Sequence, residues 1–164
     1  MIISFTLNLI IYFSILGYSF LLKKIFDKQN KFIQVNNFDF FYGVFFLILI
    51  SIILNFFFPL KIFFLYIVSF GLISFAYLLF KKKLKINILI FSIILFFFIF
   101  ITYEHGHNVD SPVYHMQTIR WAHDKKIIFG LSNLHWLYGL NSGWHIFLSL
   151  LKFKIKGFDT IYLL

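Results

Sequence analysis

Residues 40–58 read FFYGVFFLILISIILNFFF, an apolar run that contains no Asp, Glu, Lys or Arg. An α-helix rises about 1.5 Å per residue and the hydrocarbon core of a bilayer is about 30 Å thick, so about 20 such residues cross it. Pro59 and Lys61 follow the run and mark its end. The stretch therefore predicts a transmembrane helix over residues 40–58.

Three other stretches have the same character, namely residues 2–22, 62–80 and 86–103. Backbone groups in lipid must be satisfied within the segment, which favours helices over open strands. Residues 157–164 resemble the start of a further span. The sequence thus predicts an all-α, polytopic membrane protein with about four complete transmembrane helices and a partial fifth span.

The overall composition agrees with a membrane protein. Hydrophobic residues make up 61% of the 164 residues and charged residues only 13%, whereas soluble domains are about half apolar and about a quarter charged. The net charge of +9 would suggest nucleic acid in a soluble protein, but the lysines cluster beside apolar runs, so we expect no nucleic-acid partner. The chain has no cysteine, which excludes disulfides and thiolate metal sites.

Lysine placement predicts the orientation in the membrane, because cytoplasmic loops are enriched in Lys and Arg. Two loops carry lysine clusters: Lys23, Lys24, Lys28 and Lys31 in one, and Lys81, Lys82, Lys83 and Lys85 in the other. The link between the second and third spans carries only Lys61. We therefore expect the N-terminus and residues 104–156 to lie outside a bacterial cytoplasmic (inner) membrane, with membrane lipids as partners.

The chain divides by composition into a four-helix region, 1–103, a loop, 104–156, and the start of a further span, 157–164. All six histidines and all three tryptophans fall in the loop. Ser111 and Pro112 indicate the start of an interfacial helix over about 111–125. Asn141 or Ser142 is a candidate cap for a second short helix, over 143–151.

Asp110 is the candidate catalytic residue of the loop. A carboxylate beside the first turn of a helix stays ionised because of the helix dipole, and it can accept a proton from a hydroxyl nucleophile. The alternative is that Asp110 is a helix-start residue without chemistry.

Glu104, His105 and His107 form a candidate metal site directly after the fourth span. Carboxylate and imidazole ligands suit a divalent cation, which is the one cofactor that the sequence suggests. The alternative interpretation is a polar collar where the chain leaves the membrane.

Arg120, Lys125 and Lys126 are candidates for binding a phosphate or an anionic headgroup. Arginine binds such groups through two parallel hydrogen bonds and lysine as a point charge. The alternative is ordinary snorkelling of long cationic side chains at the interface.

Three strings in the loop carry a resemblance to known proteins: DSPVYHMQTIRW at 110–121, GLSNLH at 130–135 and GLNSGW at 139–144. They resemble a signature of uncharacterised bacterial multi-pass membrane proteins. That group is distantly similar to the GT-C glycosyltransferases, which transfer a sugar from a polyprenyl-phosphate carrier to an acceptor, usually with inversion. The resemblance covers about a quarter of the chain.

The resemblance implies that Asp110 is the base that activates the acceptor hydroxyl. We expect Arg120 or a nearby histidine to contact the lipid phosphate. The expected substrate-binding residues are Tyr114, His115, Arg120, His135 and Asn141.

Two functions therefore remain open. The first is the N-terminal portion of a GT-C-like glycosyltransferase that uses a lipid-linked sugar donor on the extracytoplasmic face and is inactive as a fragment. The second is a non-enzymatic multi-pass membrane protein, a structural or transport subunit of an envelope-polysaccharide system.

Overall fold

The computed structural model describes residues 2–26, 33–34, 38–80, 84–85, 114–134, 136, 142–155 and 158–159. The fold class is all-α, as the sequence predicts. Among the described residues there are five α-helices: α1 (Ile2–Phe26), α2 (Asp39–Phe57), α3 (Phe64–Phe80), α4 (Met116–Asp124) and α5 (Gly143–Leu151). Two 3₁₀ turns, Leu60–Ile62 and Leu131–Asn133, accompany these helices.

Within the described ranges, four strands of two residues each accompany the helices. β1 (Ile33–Gln34) pairs in parallel with β2 (Leu84–Lys85). β3 (Lys154–Ile155) pairs antiparallel with β4 (Phe158–Asp159). Residues 158–159, which the sequence assigns to the start of a further span, are therefore extended. Asp159 lies at this point, and a charged side chain within a helix in lipid is costly.

Two of the described helices are long and apolar enough to cross a membrane. They comprise Thr6–Phe26 within α1, with mean hydropathy 1.6, and Asp39–Phe57, with mean hydropathy 2.5. Both lie close to the predicted first and second spans. α1 extends beyond the predicted end of the first span, at residue 22, and its last turn includes Lys23 and Lys24.

The third predicted span is shorter than expected. Pro59 has an extended backbone with φ −65° and precedes the 3₁₀ turn at Leu60–Ile62, so α3 begins only at Phe64 and has 17 residues. Proline fixes φ and lacks the donor that a continuous helix would need. The predicted fourth span, 86–103, lies outside the described residues.

The chain divides into two compact units, one comprising residues 1–46 and 66–105, the other residues 47–65 and 106–164. In the first unit, Tyr12, Leu16 and Phe20 of α1 form a core with Leu78 of α3. The helices approach closely because Gly17 has no side chain; a Cβ there would overlap the carbonyl oxygen of Gly71. Small residues at such crossings are typical of helices packed in membranes.

An ion pair joins two helix ends in the first unit. Lys23 in the last turn of α1 pairs with Asp39 in the first turn of α2, with 2.5 Å between the Lys23 Nζ and Asp39 Oδ1 atoms. The Asp39 side chain is fully buried, while that of Lys23 is 25% exposed. Each charge also has the sign that the dipole of its own helix end favours.

The second unit is built around α4 and α5, which pack against each other and against the 3₁₀ turn at Leu60–Ile62. Ile119 of α4 is buried, as are all residues of α5 from Ile146 to Leu151. Stacking of the Phe64 and Phe153 rings, with centroids 4.6 Å apart, continues this core.

Candidate functional site

Local sequence explains where the two short helices begin and end. The Ser142 side chain accepts a hydrogen bond from the Trp144 amide at 3.2 Å and caps α5, whose range coincides with the one that the sequence indicates. α4 ends at Asp124, where Lys125 becomes extended and its amide donates to the Trp121 carbonyl. The predicted start of this helix, at Ser111 and Pro112, lies outside the described residues.

Asn55 fixes the end of α4 to the last turns of α2. Its side-chain amide donates to the carbonyl oxygens of Ala122, at 3.0 Å, and Lys125, at 3.1 Å. The Ile127 amide donates in turn to the Asn55 carbonyl oxygen at 2.8 Å. Asn55 is only 4% exposed, so a single buried residue satisfies two carbonyls at the end of α4, where the last turn of a helix leaves carbonyls open.

A hydrogen bond from His123 joins α4 to α5. The His123 Nδ1 atom donates to the Ser149 carbonyl oxygen at 3.0 Å. The Ser149 hydroxyl donates to the His145 carbonyl oxygen at 2.6 Å within α5. The bond from His123 therefore joins α4 to α5, and Ser149 is held within α5 by its own hydroxyl.

His115 and His145 form the most unusual contact of this unit. The Nδ1 atom of His115 lies 2.7 Å from the Nε2 atom of His145, and the ring centroids are 4.6 Å apart. The Tyr114 ring lies beside His115, with centroids 3.9 Å apart. At this separation the two facing nitrogens hold one proton between them, so one ring donates and the other accepts.

The environment of His145 favours its neutral form. Burial lowers the pKa of His145 below its ordinary value of 6.5, and the charge of nearby His115 lowers the pKa further. The His145 Nδ1 atom is buried and has no hydrogen-bond partner within the described part of the chain. A second proton on the pair would therefore add an unpaired donor as well as a charge.

A cavity of about 220 Å³ lies between α4, the end of α2 and the loop that follows α4. Polar groups in its lining come from Asn55, Thr118, Lys126 and Ser132, and Trp121 contributes an aromatic ring. The apolar lining comprises Ala122, Ile127, Ile128, Phe129, Leu131 and Ile146.

Gly130 turns the loop that lines this cavity. Its backbone has φ +81°, in the left-handed region, where residues with a side chain are strained. The 3₁₀ turn at Leu131–Asn133 starts directly after it.

Five of the predicted site residues are described, namely Tyr114, His115, Arg120, Lys125 and Lys126. Lys126 lines the cavity, and Lys125 does not contribute to its described lining. Tyr114 and His115 lie at the start of α4 and contact His145 through the His115 ring. Arg120 is exposed and does not contribute to the described lining of the cavity. The remaining predicted residues lie outside the described residues: Asp110, His135 and Asn141, and the candidate metal ligands Glu104, His105 and His107. Among the residues that are described, no group of three or more His, Asp or Glu could hold a metal ion.

Two contributors to this unit, His145 and Asn55, are not singled out by the sequence analysis. His145 stands there only as one of the six histidines of the loop, because its partner is 30 residues away on another helix. Lys126 is a phosphate candidate from the sequence, and it lines the cavity. Asn55 carried a usable signal, since it is the only amide residue in the apolar run 40–58.

No curated protein and no solved structure matches this chain. A family model described as a domain of unknown function, DUF8201, matches residues 1–163. The match covers nearly the whole sequence, so the chain belongs to the DUF8201 family.

Proposed function

We propose that this chain is part of a membrane glycosyltransferase of the GT-C kind, which takes a sugar from a polyprenyl-phosphate carrier on the extracytoplasmic face. The cavity at the end of α2 is the observation that carries the proposal. It combines a lysine ammonium and a serine hydroxyl with a mainly apolar wall. A polyprenyl phosphate has the same two parts, an anionic phosphate and a hydrocarbon chain.

Insertion of α2 into the bilayer is the first step of the proposal. Many large apolar side chains of this helix are exposed: Phe41, Tyr42, Phe45, Leu49, Ile53, Phe56 and Phe57. They recur mostly at intervals of three or four residues and therefore form a stripe along the helix. Such a stripe is unfavourable in water and suits contact with lipid acyl chains.

The second step is the orientation. Because the two lysine clusters favour the cytoplasmic side, the link at Lys61 and the loop after the fourth predicted span are assigned to the opposite side. A GT-C glycosyltransferase would use its polyprenyl-phosphate sugar on that extracytoplasmic side.

Phosphate binding is the third step. The Lys126 ammonium supplies positive charge and the Ser132 hydroxyl supplies a donor, whereas the Thr118 hydroxyl already donates to the Tyr114 carbonyl at 3.0 Å. Ile127, Ile128 and Leu131 offer apolar contact to the first units of the prenyl chain. The ammonium would also stabilise the charge that develops on the departing phosphate.

Asp110 is the base in this proposal. Its carboxylate accepts the proton of an acceptor hydroxyl, whose oxygen forms a bond to the anomeric carbon. The bond between that carbon and the phosphate oxygen breaks, and the electron pair leaves with the phosphate. Attack from the face opposite to the leaving group inverts the anomeric centre.

Binding of undecaprenyl phosphate to the purified protein in detergent tests the phosphate site directly. We expect Lys126→Gln to weaken binding about 10- to 100-fold, because a hydrogen bond to a charged group contributes about 1.5–3 kcal/mol. Lys125→Gln is the matched control, since Lys125 is adjacent and does not line the described cavity. Equal affinities for the wild type and Lys126→Gln would remove this cavity as the carrier site.

Transfer itself tests Asp110. In membranes that contain the complete protein and are supplied with labelled polyprenyl-phosphate hexoses, we expect Asp110→Asn to abolish transfer and to leave binding of undecaprenyl phosphate intact. Transfer by Asp110→Asn at the wild-type rate would exclude this base. Carrier binding without transfer from any donor would instead favour the non-enzymatic function, a subunit of an envelope-polysaccharide system.

A further inference from the structure

The loop after α4 exposes apolar and cationic side chains together. Phe129 is 78% exposed, Leu134 74% and Trp136 68%. Three exposed cations accompany them, Lys125 and Lys126 at the start of the loop and Arg120 on α4. Aromatic and leucine side chains beside lysines are the composition that binds at the surface of anionic membranes.

The position of this loop at the end of α2 indicates what its surface contacts. Asn55, which binds the carbonyls of Ala122 and Lys125, lies two residues before the end of α2 at Phe57. The Phe129 ring contacts Phe56 in the last turn of α2, with centroids 6.5 Å apart. The loop is therefore level with the end of an apolar helix of spanning length, where lipid headgroups begin if α2 crosses the bilayer.

We infer that the exposed side chains of Arg120, Lys125, Phe129, Leu134 and Trp136 form a docking surface for the headgroups of anionic phospholipids; the inference relies on the membrane insertion of α2 in the proposed function. Phe129, Leu134 and Trp136 enter the boundary between headgroups and acyl chains. Lys125 and Arg120 bind the phosphates of adjacent lipids, while Lys126 serves the cavity.

Charge favours anionic over zwitterionic lipid. Asp124 is the one acidic residue in the range 114–136, and its carboxylate lies 4.0 Å from the Lys61 ammonium, with both side chains about half exposed. The cations Arg120, Lys125 and Lys126 thus outnumber the carboxylate on this surface. Each lysine or arginine near an anionic bilayer adds to binding and loses this contribution at high salt.

Tryptophan fluorescence in nanodiscs tests the inference, because the three tryptophans, Trp121, Trp136 and Trp144, all lie in or beside this unit. The full chain is reconstituted in phosphatidylcholine with increasing brominated phosphatidylglycerol or, in parallel, brominated phosphatidylcholine. We expect the anionic quencher to be several-fold more effective for the wild type. Lys125→Gln should reduce that preference about twofold or more, and Leu134→Ser should reduce quenching by both lipids.

The charge-matched control is Lys82→Gln, which removes one positive charge far along the sequence and should leave the preference unchanged. Equal quenching by both lipids in the wild type would overturn the inference. Absence of quenching by either lipid would also overturn it, because a second copy or another protein would then cover this surface.

The two proposals fail in different ways. If alkaline carbonate released the chain from membranes, the bilayer insertion of α2 and both proposals would be wrong. If the chain remained in the bilayer without any preference for anionic lipid, only the docking surface would be wrong. Lys125→Gln is expected to alter lipid preference while leaving undecaprenyl phosphate binding intact, and this separates the surface from the cavity.

Discussion

The Asn55 amide is the residue-scale link between the end of α2 and the end of α4. Asn55→Leu keeps a similar volume but removes both donors, so the carbonyls of Ala122 and Lys125 lose these partners. We expect the free energy of unfolding of this unit to fall by about 1–3 kcal/mol. Hydrogen exchange of the Lys125 and Ile127 amides in detergent micelles measures the effect.

Ser51→Ala is the matched control for Asn55. The Ser51 hydroxyl is also buried in α2, but it donates to the Leu47 carbonyl of its own helix. We expect little change in exchange at the end of α4. Similar acceleration in both variants would mean that Asn55 does not act through α4.

The histidine pair predicts a dependence on pH. Because the pKa of His145 is lowered in the folded state, the unfolded chain takes up the proton first as the pH falls below about 6.5. The contribution of the pair is therefore present above that value and is lost as the pH falls through the lower, folded pKa. Melting of the detergent-solubilised protein between pH 8 and pH 5 measures this loss.

His145→Gln should flatten that pH dependence, because glutamine retains a hydrogen-bonding group that does not titrate. An unchanged profile in this variant would assign the titration to another group. His123 is the histidine to examine next, since it also joins α4 to α5.

Residue types were easier to predict than residue partners. The resemblance draws attention to His115 and Arg120 because both lie in the string at 110–121, and Arg120 also because arginine suits a phosphate. The sequence contains nothing that pairs His115 with His145, since that contact depends on the packing of two helices separated by 30 residues.

At the scale of elements, two ion pairs provide a direct comparison. Lys23 and Asp39 join the ends of α1 and α2 with the carboxylate fully buried, whereas both Lys61 and Asp124 are about half exposed. Removing one partner of a buried pair typically costs about 3–5 kcal/mol, and an exposed pair contributes about 0–1 kcal/mol. We therefore expect Lys23→Met to lower stability far more than Lys61→Met in thermal unfolding.

The double variant Lys23→Met/Asp39→Leu distinguishes burial of charge from loss of packing. Replacing both charges by apolar groups should restore most of the stability that Lys23→Met loses. A double variant as unstable as Lys23→Met would show that the ion pair is not the cause.

The lengths of the apolar runs and the candidate caps predicted the helices, and the backbone at Pro59 shifted the start of α3. The run at 40–58 predicts α2 to within one residue, and the two candidate caps, Asn141 and Ser142, predict the start of α5, where Ser142 is the cap. Pro59 was recognised as the end of a helix, but the 3₁₀ turn that follows it was not, and this turn shortens α3. The pairing of β3 with β4 had no signal, because two-residue strands leave no periodicity to detect.

At the scale of the whole molecule, the proposals depend on which side of the membrane carries α4 and α5. Hydropathy predicts which segments enter the membrane, and the distribution of lysines predicts their orientation. The cavity cannot be predicted in this way, because its side chains come together only on folding. The sequence could therefore suggest a sidedness and an acidic base, but it could not identify Lys126 and Ser132 as neighbours.

Labelling of single cysteines is the most direct test, since the natural chain contains none. Ser132→Cys introduces a thiol at an exposed cavity residue, and Lys82→Cys introduces one in a predicted cytoplasmic lysine cluster. In intact spheroplasts treated with a membrane-impermeant maleimide, we predict labelling of Ser132→Cys and labelling of Lys82→Cys only after permeabilisation. Labelling of Ser132→Cys only after permeabilisation would contradict an extracytoplasmic site for lipid-linked sugar transfer.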